Sequence, residues 1–384
     1  MMNIIIFSTA YLPFWGGAEI AVKELTDRIG GCEFDLITAR LDRRLPKFER
    51  LGRVNVYRVG LGWRPDKFLL PFLGLWQALR LDKSCHYQII FSLMASQASI
   101  AAAWFKMLCP EKKLLLNLQE GDEEEHLKRY ALGSDWLYNR LIKPWHLLVF
   151  KKADLVVAIS GYLKQRAQAS GVKCEIEVVP NGVNMANYEL RITNYELRKK
   201  LGIGDKEKVV ITVSRLVKKN GVEYLIEAMR YLPENVKLII IGSGELELNL
   251  KSKIANLKLA GRVLMLGEIG NQSIPEYLSA ADVFVRPSLS EGQGISFLEA
   301  MAAGVPIIGT PVGGIPDFLR DGETGLFCKA NNPQSIAEQV KALLNNKELA
   351  DKITASALRL VKEKYDWNFI SEKYAKIFHC YSGI

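Results

Sequence analysis

Apolar residues recur along this chain in two rhythms. Residues 3–9 (NIIIFST) form a nearly unbroken apolar run, the loop after it contains Gly16 and Gly17, and Ala18, Val22, Leu25 and Ile29 then follow at the spacing of a helix with one buried face. The pattern is strand, glycine loop, helix. It continues with strands predicted over 34–38, 54–59, 88–92, 113–118 and 154–159, and helices near 67–82, 96–108 and 137–151. Short strands buried on both faces and separated by helices predict a mostly parallel sheet with helices on either side.

The second half repeats this. Strands are predicted over 208–213 (KVVITV), 236–241 (VKLIII), 262–266, 282–285 and 305–308, alternating with helices over 221–230, 246–259, 274–280 and 295–303. A second, independent parallel sheet follows, so the chain is read as α/β with two Rossmann-like domains facing each other across a cleft. A polar stretch lies between them, in which NYELR occurs at 187–191 and again at 194–198; it has no apolar core of its own and reads as an insertion near a hinge. Beyond 330, helices are predicted over about 333–345, 347–363 and 366–380. The last carries Trp367, Phe369, Ile370, Tyr374 and Phe378, too aromatic for a free tail, and is expected to pack back on the first domain. The expected boundaries are 1–180, 181–362 and a C-terminal helix at 363–384.

Length agrees with this division, since 384 residues exceed what one core usually sustains. Apolar residues at 49% and charged residues at 24% exclude extensive disorder. A formal charge of +9 favours anionic partners without choosing among them. Nucleic acid is the least suitable of these, because the basic residues are dispersed and lack interleaved aromatic platforms. Six scattered cysteines have neither zinc-knuckle nor disulfide-scaffold spacing, which points to a reducing, cytoplasmic compartment. The first apolar run has no basic leader and reads as a buried strand rather than a signal peptide, and no run reaches the roughly 18 apolar residues of a spanning helix. Residues 61–80 (LGWRPDKFLLPFLGLWQALR) mix basic and large apolar side chains. They fit the inner face of a membrane, touched without being crossed, and equally a core in which Leu69, Phe72, Leu73 and Trp76 are packed.

The most informative segment is PSLSEGQGISFLEAMAAGVPII, 287–308. A strand ends, a loop presents Glu291, and Gly292 and Gly294 let backbone approach a ligand before a helix starts. The amides around Gly294, Ile295 and Ser296 would then cradle diphosphate oxygens. Glu299 stands among apolar and small residues of that helix, where a carboxylate needs a partner. Two carboxylates at different depths of one pocket could accept hydroxyls of a sugar and of a ribose. The basic turn VSRLVKKNG, 213–221, places Arg215, Lys218 and Lys219 beyond the end of a strand, where Arg215 can grip phosphate bidentately and the lysines add point charge. Gly16 and Gly17 are not a GxGxxG; they fit a plain turn or a close approach to phosphate from the opposite wall. IGSGEL (241–246, with Gly244) and DGETG (321–325) fit either ligand-lining loops or structural turns. Gln119, Glu120, Gly121 and Asp122 follow the strand LLLNL and are candidates for the cleft, whereas Glu123 to Glu125 read as solvated. His86, His126, His146 and His379 have no metal-ligand spacing, and no DxD, GxSxG or P-loop motif occurs, so the charge of a leaving group would fall to Arg215, a lysine and backbone amides rather than a metal.

These segments together resemble the retaining glycosyltransferases of family 4, a two-Rossmann-domain group of GT-B type that includes bacterial mannosyl-, glucosyl- and N-acetylglucosaminyltransferases. GGAE at 16–19, VPNGV at 179–183, SRLVKKNG at 214–221, 287–308 and DGETG carry the resemblance over nearly the whole chain. It implies an acceptor-binding first domain, a nucleotide-sugar-binding second domain and metal-independent transfer of a hexose from a UDP- or GDP-sugar, with retention, to a lipid-linked or glycan acceptor. By the resemblance Glu291 contacts the donor sugar, Glu299 the ribose, Arg215 the diphosphate and Gly17 the diphosphate from the first domain, with the lobes closing on the donor. The expected catalytic set is Glu291, Arg215 and Gln119; the expected donor-binding set is Gly16, Gly17, Arg215, Lys218, Lys219, Gly244, Gly294, Ile295 and Glu299. Two departures stand out. Asn220 occupies the place of a usual lysine, leaving the phosphate to Lys218 or Lys219, and Gln119 occupies the place of a histidine and cannot carry a proton. A nucleotide-sugar epimerase, a glycogen-synthase-like enzyme and a non-catalytic nucleotide-sugar binder are the competing readings.

Overall fold

The computed structural model describes residues 1–14, 16–119, 134–137, 139–140, 143–189 and 195–383. The candidates Glu120, Gly121, Asp122 and Glu123 to Glu125, and the core of the NYELR duplication, lie outside the described residues. The chain divides into two compact units, Met1–Asn181 with Trp367–Ile384, and Gly182–Asp366.

The first unit holds β1 (Met2–Phe7), β2 (Cys32–Ala39), β3 (Phe48–Leu51), β4 (Val54–Val59), β5 (Ile89–Leu93), β6 (Lys113–Leu118), β7 (Leu155–Ala158) and β8 (Glu175–Val178) in the order β3-β4-β2-β1-β5-β6-β7-β8. All pairings are parallel except the β3–β4 hairpin. In β1 the alternation of the strand sends Ile4 and Ile6 into one core and Ile5 and Phe7 into another on the opposite face, which is why the run is apolar throughout. The helix Trp367–Ser382 closes the first of these cores. Trp367, Ile370, Tyr374, Ile377 and Phe378 form one buried stripe at helical spacing, and Tyr374 and Phe378 meet Phe91 of β5 edge-on with ring centroids 5.9 and 5.5 Å away. Each such side chain contributes about 1.5–3 kcal/mol by leaving water. The buried amide of Asn117 donates to the Tyr374 hydroxyl at 2.7 Å, so the stripe is also keyed to the end of β6.

The second unit holds β9 (Lys208–Val213), β10 (Val236–Ile241), β11 (Val263–Gly267), β12 (Val283–Arg286), β13 (Ile307–Gly309) and β14 (Leu326–Phe327), all parallel, in the order β11-β10-β9-β12-β13-β14. Val210, Leu238 and Ile240 face one core and Val209, Ile211 and Ile239 the other. The chain enters and leaves this unit side by side, since Val183 pairs with Asp366 and its amide donates to the Tyr365 carbonyl at 2.7 Å.

One expectation needs correction. The helix Leu70–Cys85 buries Leu70, Gly74 and Ala78, but Leu69, Phe72 and Trp76 are 44%, 65% and 60% exposed and do not belong to the core. The helical period aims them outward, and Trp63 and Phe68 just ahead of the helix are exposed too. Cations lie over several of these rings: Arg43 over Trp63 at 4.5 Å and Arg80 over Trp76 at 5.7 Å. Among the described residues no helix is long and apolar enough to cross a membrane.

Candidate active site

In the second unit the predicted residues converge at the carboxyl ends of β9, β10 and β12, where a parallel sheet delivers its loops. β12 ends at Arg286, and after an eight-residue loop the helix Ile295–Ala302 begins. Gly294 turns the chain into that helix with φ +86°; no side chain caps the first turn, where the Phe297 amide donates to the Gly294 carbonyl at 3.0 Å and the amides of Ile295 and Ser296 face the start of the helix. A Cβ at Gly294 would come within 2.9 Å of the Phe297 ring in a backbone region that already disfavours side chains. Ile295 is half-buried, and the hydroxyl of the buried Ser296 is held by Arg286.

Glu291 sits on the loop ahead of this helix, its side chain 13% exposed. Its Oε1 accepts from the amide of Gly292 at 3.2 Å, while Oε2 makes an ion-pair contact with Arg286 without being aligned for a hydrogen bond. The backbone around it is held in turn: the Gly314 amide donates to its carbonyl at 3.1 Å. Glu299, about one turn into the helix, is packed round by protein but keeps an accessible edge. Burial pushes its carboxyl from the ordinary 4.5 up to about 7, against the opposing pull of Arg286. Burial first and the charge of Glu299 second also push the Tyr188 phenol upward, which places that hydroxyl in the same neighbourhood.

Because the folded state holds the Glu299 proton more tightly than the unfolded chain does, stability falls as pH rises from about 4.5 through about 7. A shift of that size corresponds to about 3 kcal/mol, and the accessible edge reduces it to about 2 kcal/mol. Urea denaturation at about pH 5 and about pH 8 is expected to show this loss in the wild type and to lose most of the slope in Glu299→Gln. An unchanged slope in the variant would assign the pH dependence to another group.

The basic turn follows β9. Arg215 is exposed, and its guanidinium has no ion-pair partner among the described residues. Lys218 is exposed as well, and the half-buried Lys219 uses its carbonyl to bind the amide of Leu289 at 2.6 Å, joining the turn to the Glu291 loop. Gly244, after β10, lies against the other side of the turn. A Cβ there would stand 2.5 Å from the Leu216 carbonyl oxygen, so its smallness serves the packing of two loops.

In the first unit Gly16 and Gly17 open the helix Gly17–Arg28 without a side-chain cap, with Gly16 extended at φ −143° and Gly17 exposed. The loop before them is anchored by the buried Arg58, which donates to the Leu12 carbonyl at 2.6 Å. Gln119 stands at the end of β6 with both ends of its amide engaged: it donates to Asn117 at 2.6 Å and Asn181 at 3.1 Å, and accepts from Asn181 at 2.6 Å. The sequence reading passed over Arg286, which ends the otherwise apolar VFVR strand, and took Asn220 only as a missing lysine; Asn220 is 1% exposed, its amide wedged between Arg286 and the Arg215 carbonyl. Among the described residues no cluster of His, Cys, Asp or Glu could hold a metal ion.

Two Rossmann-like units, one carrying paired acidic residues and an uncapped helix start beside an exposed arginine, define a two-domain α/β nucleotide-ligand enzyme class. Residues 193–359 match the family described as glycosyl transferases group 1, and residues 15–187 match glycosyltransferase family 4. The chain is 31% identical to an N-acetyl-alpha-D-glucosaminyl L-malate synthase from Bacillus anthracis, over 98% of this chain and 97% of that protein. It is 30% identical to a GDP-mannose-dependent alpha-(1-6)-phosphatidylinositol monomannoside mannosyltransferase from Mycobacterium tuberculosis, again over 98% and 97% of the two chains. Among solved structures, HepE of Anabaena in complex with UDP-glucose superposes with a TM-score of 0.80 at 20% identity, covering 99% of this chain and 100% of that one. The chain belongs to the glycosyltransferase family so described, has the GT-B-type fold, and is a glycosyltransferase.

Proposed function

We propose that this enzyme transfers a hexose from a UDP- or GDP-sugar to a lipid-linked or glycan acceptor, with retention at the anomeric carbon and without a divalent metal. The observation that carries the reading is the arrangement at 286–299: an ordered carboxylate, Glu291, immediately ahead of a helix whose first amides have no side-chain cap. Glu291 accepts donor-sugar hydroxyls and Glu299 those of the ribose. Arg215, with Lys218 or Lys219, and the amides at Gly294 and Ile295 neutralise the departing diphosphate. In the first unit the uncapped amides at Gly16 and Gly17 suit a phosphate, and Gln119 suits a sugar hydroxyl. During transfer the bond from the anomeric carbon to the diphosphate oxygen breaks as the bond to the acceptor oxygen forms on the same face, and the acceptor proton passes to the diphosphate.

The exposed Trp63, Phe68, Phe72 and Trp76 with their attendant cations support an acceptor presented at an anionic membrane surface. The mycobacterial relative's phosphatidylinositol-linked acceptor supports the same choice. A thermal-shift screen of UDP, GDP and ADP and their hexose conjugates, without and with EDTA, tests the donor assignment. Uridine or guanosine diphosphates at about 100 times their Kd are expected to stabilise by about 2.7 kcal/mol. Stabilisation by ADP alone, or only with added magnesium, would overturn it.

A further inference from the structure

Asn220 was expected to be a lost charge in the basic turn; instead it is the acceptor for a charge delivered from a different strand. We propose that Arg286 and Asn220 act as one exchanged-charge unit. Arg286, a positioning residue, supplies the fixed buried cation that holds the Glu291 carboxylate and ties it to the start of the helix carrying Glu299, and position 220 must therefore be a neutral amide. The proposal rests on the reading of Glu291 and Glu299 as donor-binding groups, and nothing in that reading assigns a role to Arg286.

Arg286 is the last residue of β12, and only 9% of its surface is exposed. A buried guanidinium is costly unless most of its donors are answered. Nη1 donates to the Ser296 hydroxyl at 3.0 Å, Nη2 donates to Asn220 Oδ1 at 3.0 Å and also pairs with Glu291, and the charge lies 6.0 Å from the centre of the Phe297 ring. These partners come from three segments: the basic turn, the Glu291 loop and the first turn of the helix that carries Glu299. Nε, buried, has no hydrogen-bond partner. The same cation opposes the effect of burial on Glu299. One guanidinium thus ties the parts of the site together, paired directly with Glu291 and acting on Glu299 only through its charge.

The orientation of Asn220 follows from its neighbours. The Arg215 carbonyl can only accept, and takes Nδ2 at 2.6 Å; the guanidinium can only donate, and takes Oδ1. A lysine at 220 would remove the acceptor that Arg286 uses and add a second cation beside it, whereas a lysine at 220 with an apolar residue at 286 would leave a single cation in that neighbourhood. The pair therefore has two compatible states and two incompatible ones.

A double-mutant cycle reads this directly. N220K and R286L are each expected to lower kcat/KM for sugar transfer at least tenfold, and N220K/R286L to recover to within a few-fold of wild type. R286L is further expected to move the pH midpoint of nucleotide binding upward, because Glu299 ionises later without its cation, a change that loss of packing alone would not cause. Singles whose losses multiply in the double variant, or a fully active N220K, would overturn the proposal. If R286L does not fold, N220K against N220Q decides it: the lysine must cost at least tenfold more than the glutamine. The same cycle read by thermal denaturation without nucleotide measures the charge exchange alone. A wild type that binds no nucleotide sugar would thus remove the donor-site reading, while the cycle still reports whether the pair is coupled.

Discussion

Glu291→Gln is expected to lower kcat for sugar transfer about 10²–10³-fold while leaving the Kd for the free nucleoside diphosphate within a few-fold of wild type. The substitution keeps the shape of the side chain and one acceptor oxygen, so the loop has no steric reason to move. It removes the negative charge that Arg286 faces and the charge-assisted acceptor for sugar hydroxyls. Those hydroxyls become more acidic as positive charge develops on the ring, so a carboxylate holds them more tightly in the transition state than in the ground state, and its loss falls on kcat more than on KM. Single-turnover transfer at saturating donor, with nucleotide binding by calorimetry alongside, separates the two. A variant whose Kd rises in proportion to its loss of turnover would make Glu291 a plain binding residue, and undiminished turnover would move the chemistry elsewhere.

How far the sequence could be read depended on how each element is buried. Strands packed on both faces, such as β1 and β10, are continuous apolar runs and were visible as such. β3 (FERL) and β8 (EIEV) were not foreseen, because each lies at a sheet edge where half-exposed positions take glutamate and arginine. The helix Gly161–Ala169 was missed for a similar reason: it buries only Leu163 and Ala167, and its start is set by the Ser160 side chain accepting the Leu163 amide at 3.3 Å. In the site, Glu291 and Glu299 were legible because carboxylates beside small and apolar residues demand an explanation. Arg286 was not, because its meaning lies in a partner 66 positions away, Asn220, that no local pattern links to it. Gly244 fitted either a ligand-lining loop or a structural turn by sequence, and a Cβ there would stand 2.5 Å from the Leu216 carbonyl oxygen of the basic turn. Spacing identifies which residues reach a strand end; only packing tells whether a small residue there admits a ligand or another loop.

That distinction matters most at Gly313, which the sequence did not single out and where the largest effect on stability is expected. Gly313 follows β13 with φ +57°, and a Cβ built on it would stand 1.9 Å from the carbonyl oxygen of Glu291. Nothing there can yield as the tip of a side chain could, because the obstructing atom is backbone and the Gly314 amide bonds that same carbonyl at 3.1 Å. Gly313→Ala therefore adds the cost of a side chain in the left-handed region, about 1–2 kcal/mol, to that of forcing two packed loops apart, about 1–3 kcal/mol. We expect a loss of about 3 kcal/mol in urea denaturation, large against the usual effect of a surface substitution. The displaced partner is the backbone of Glu291, so turnover in the protein that remains folded is expected to drop at least tenfold, by a geometric error of under an ångström rather than by loss of a functional group. Gly322→Ala provides the matched control, since that glycine has φ +71° with nothing within 4 Å of the added carbon: it should incur the backbone strain alone and leave turnover per folded molecule unchanged. If the two variants were equally stable and equally active, the close approach of the 310–314 loop to Glu291 would have no part in holding that carboxylate in place.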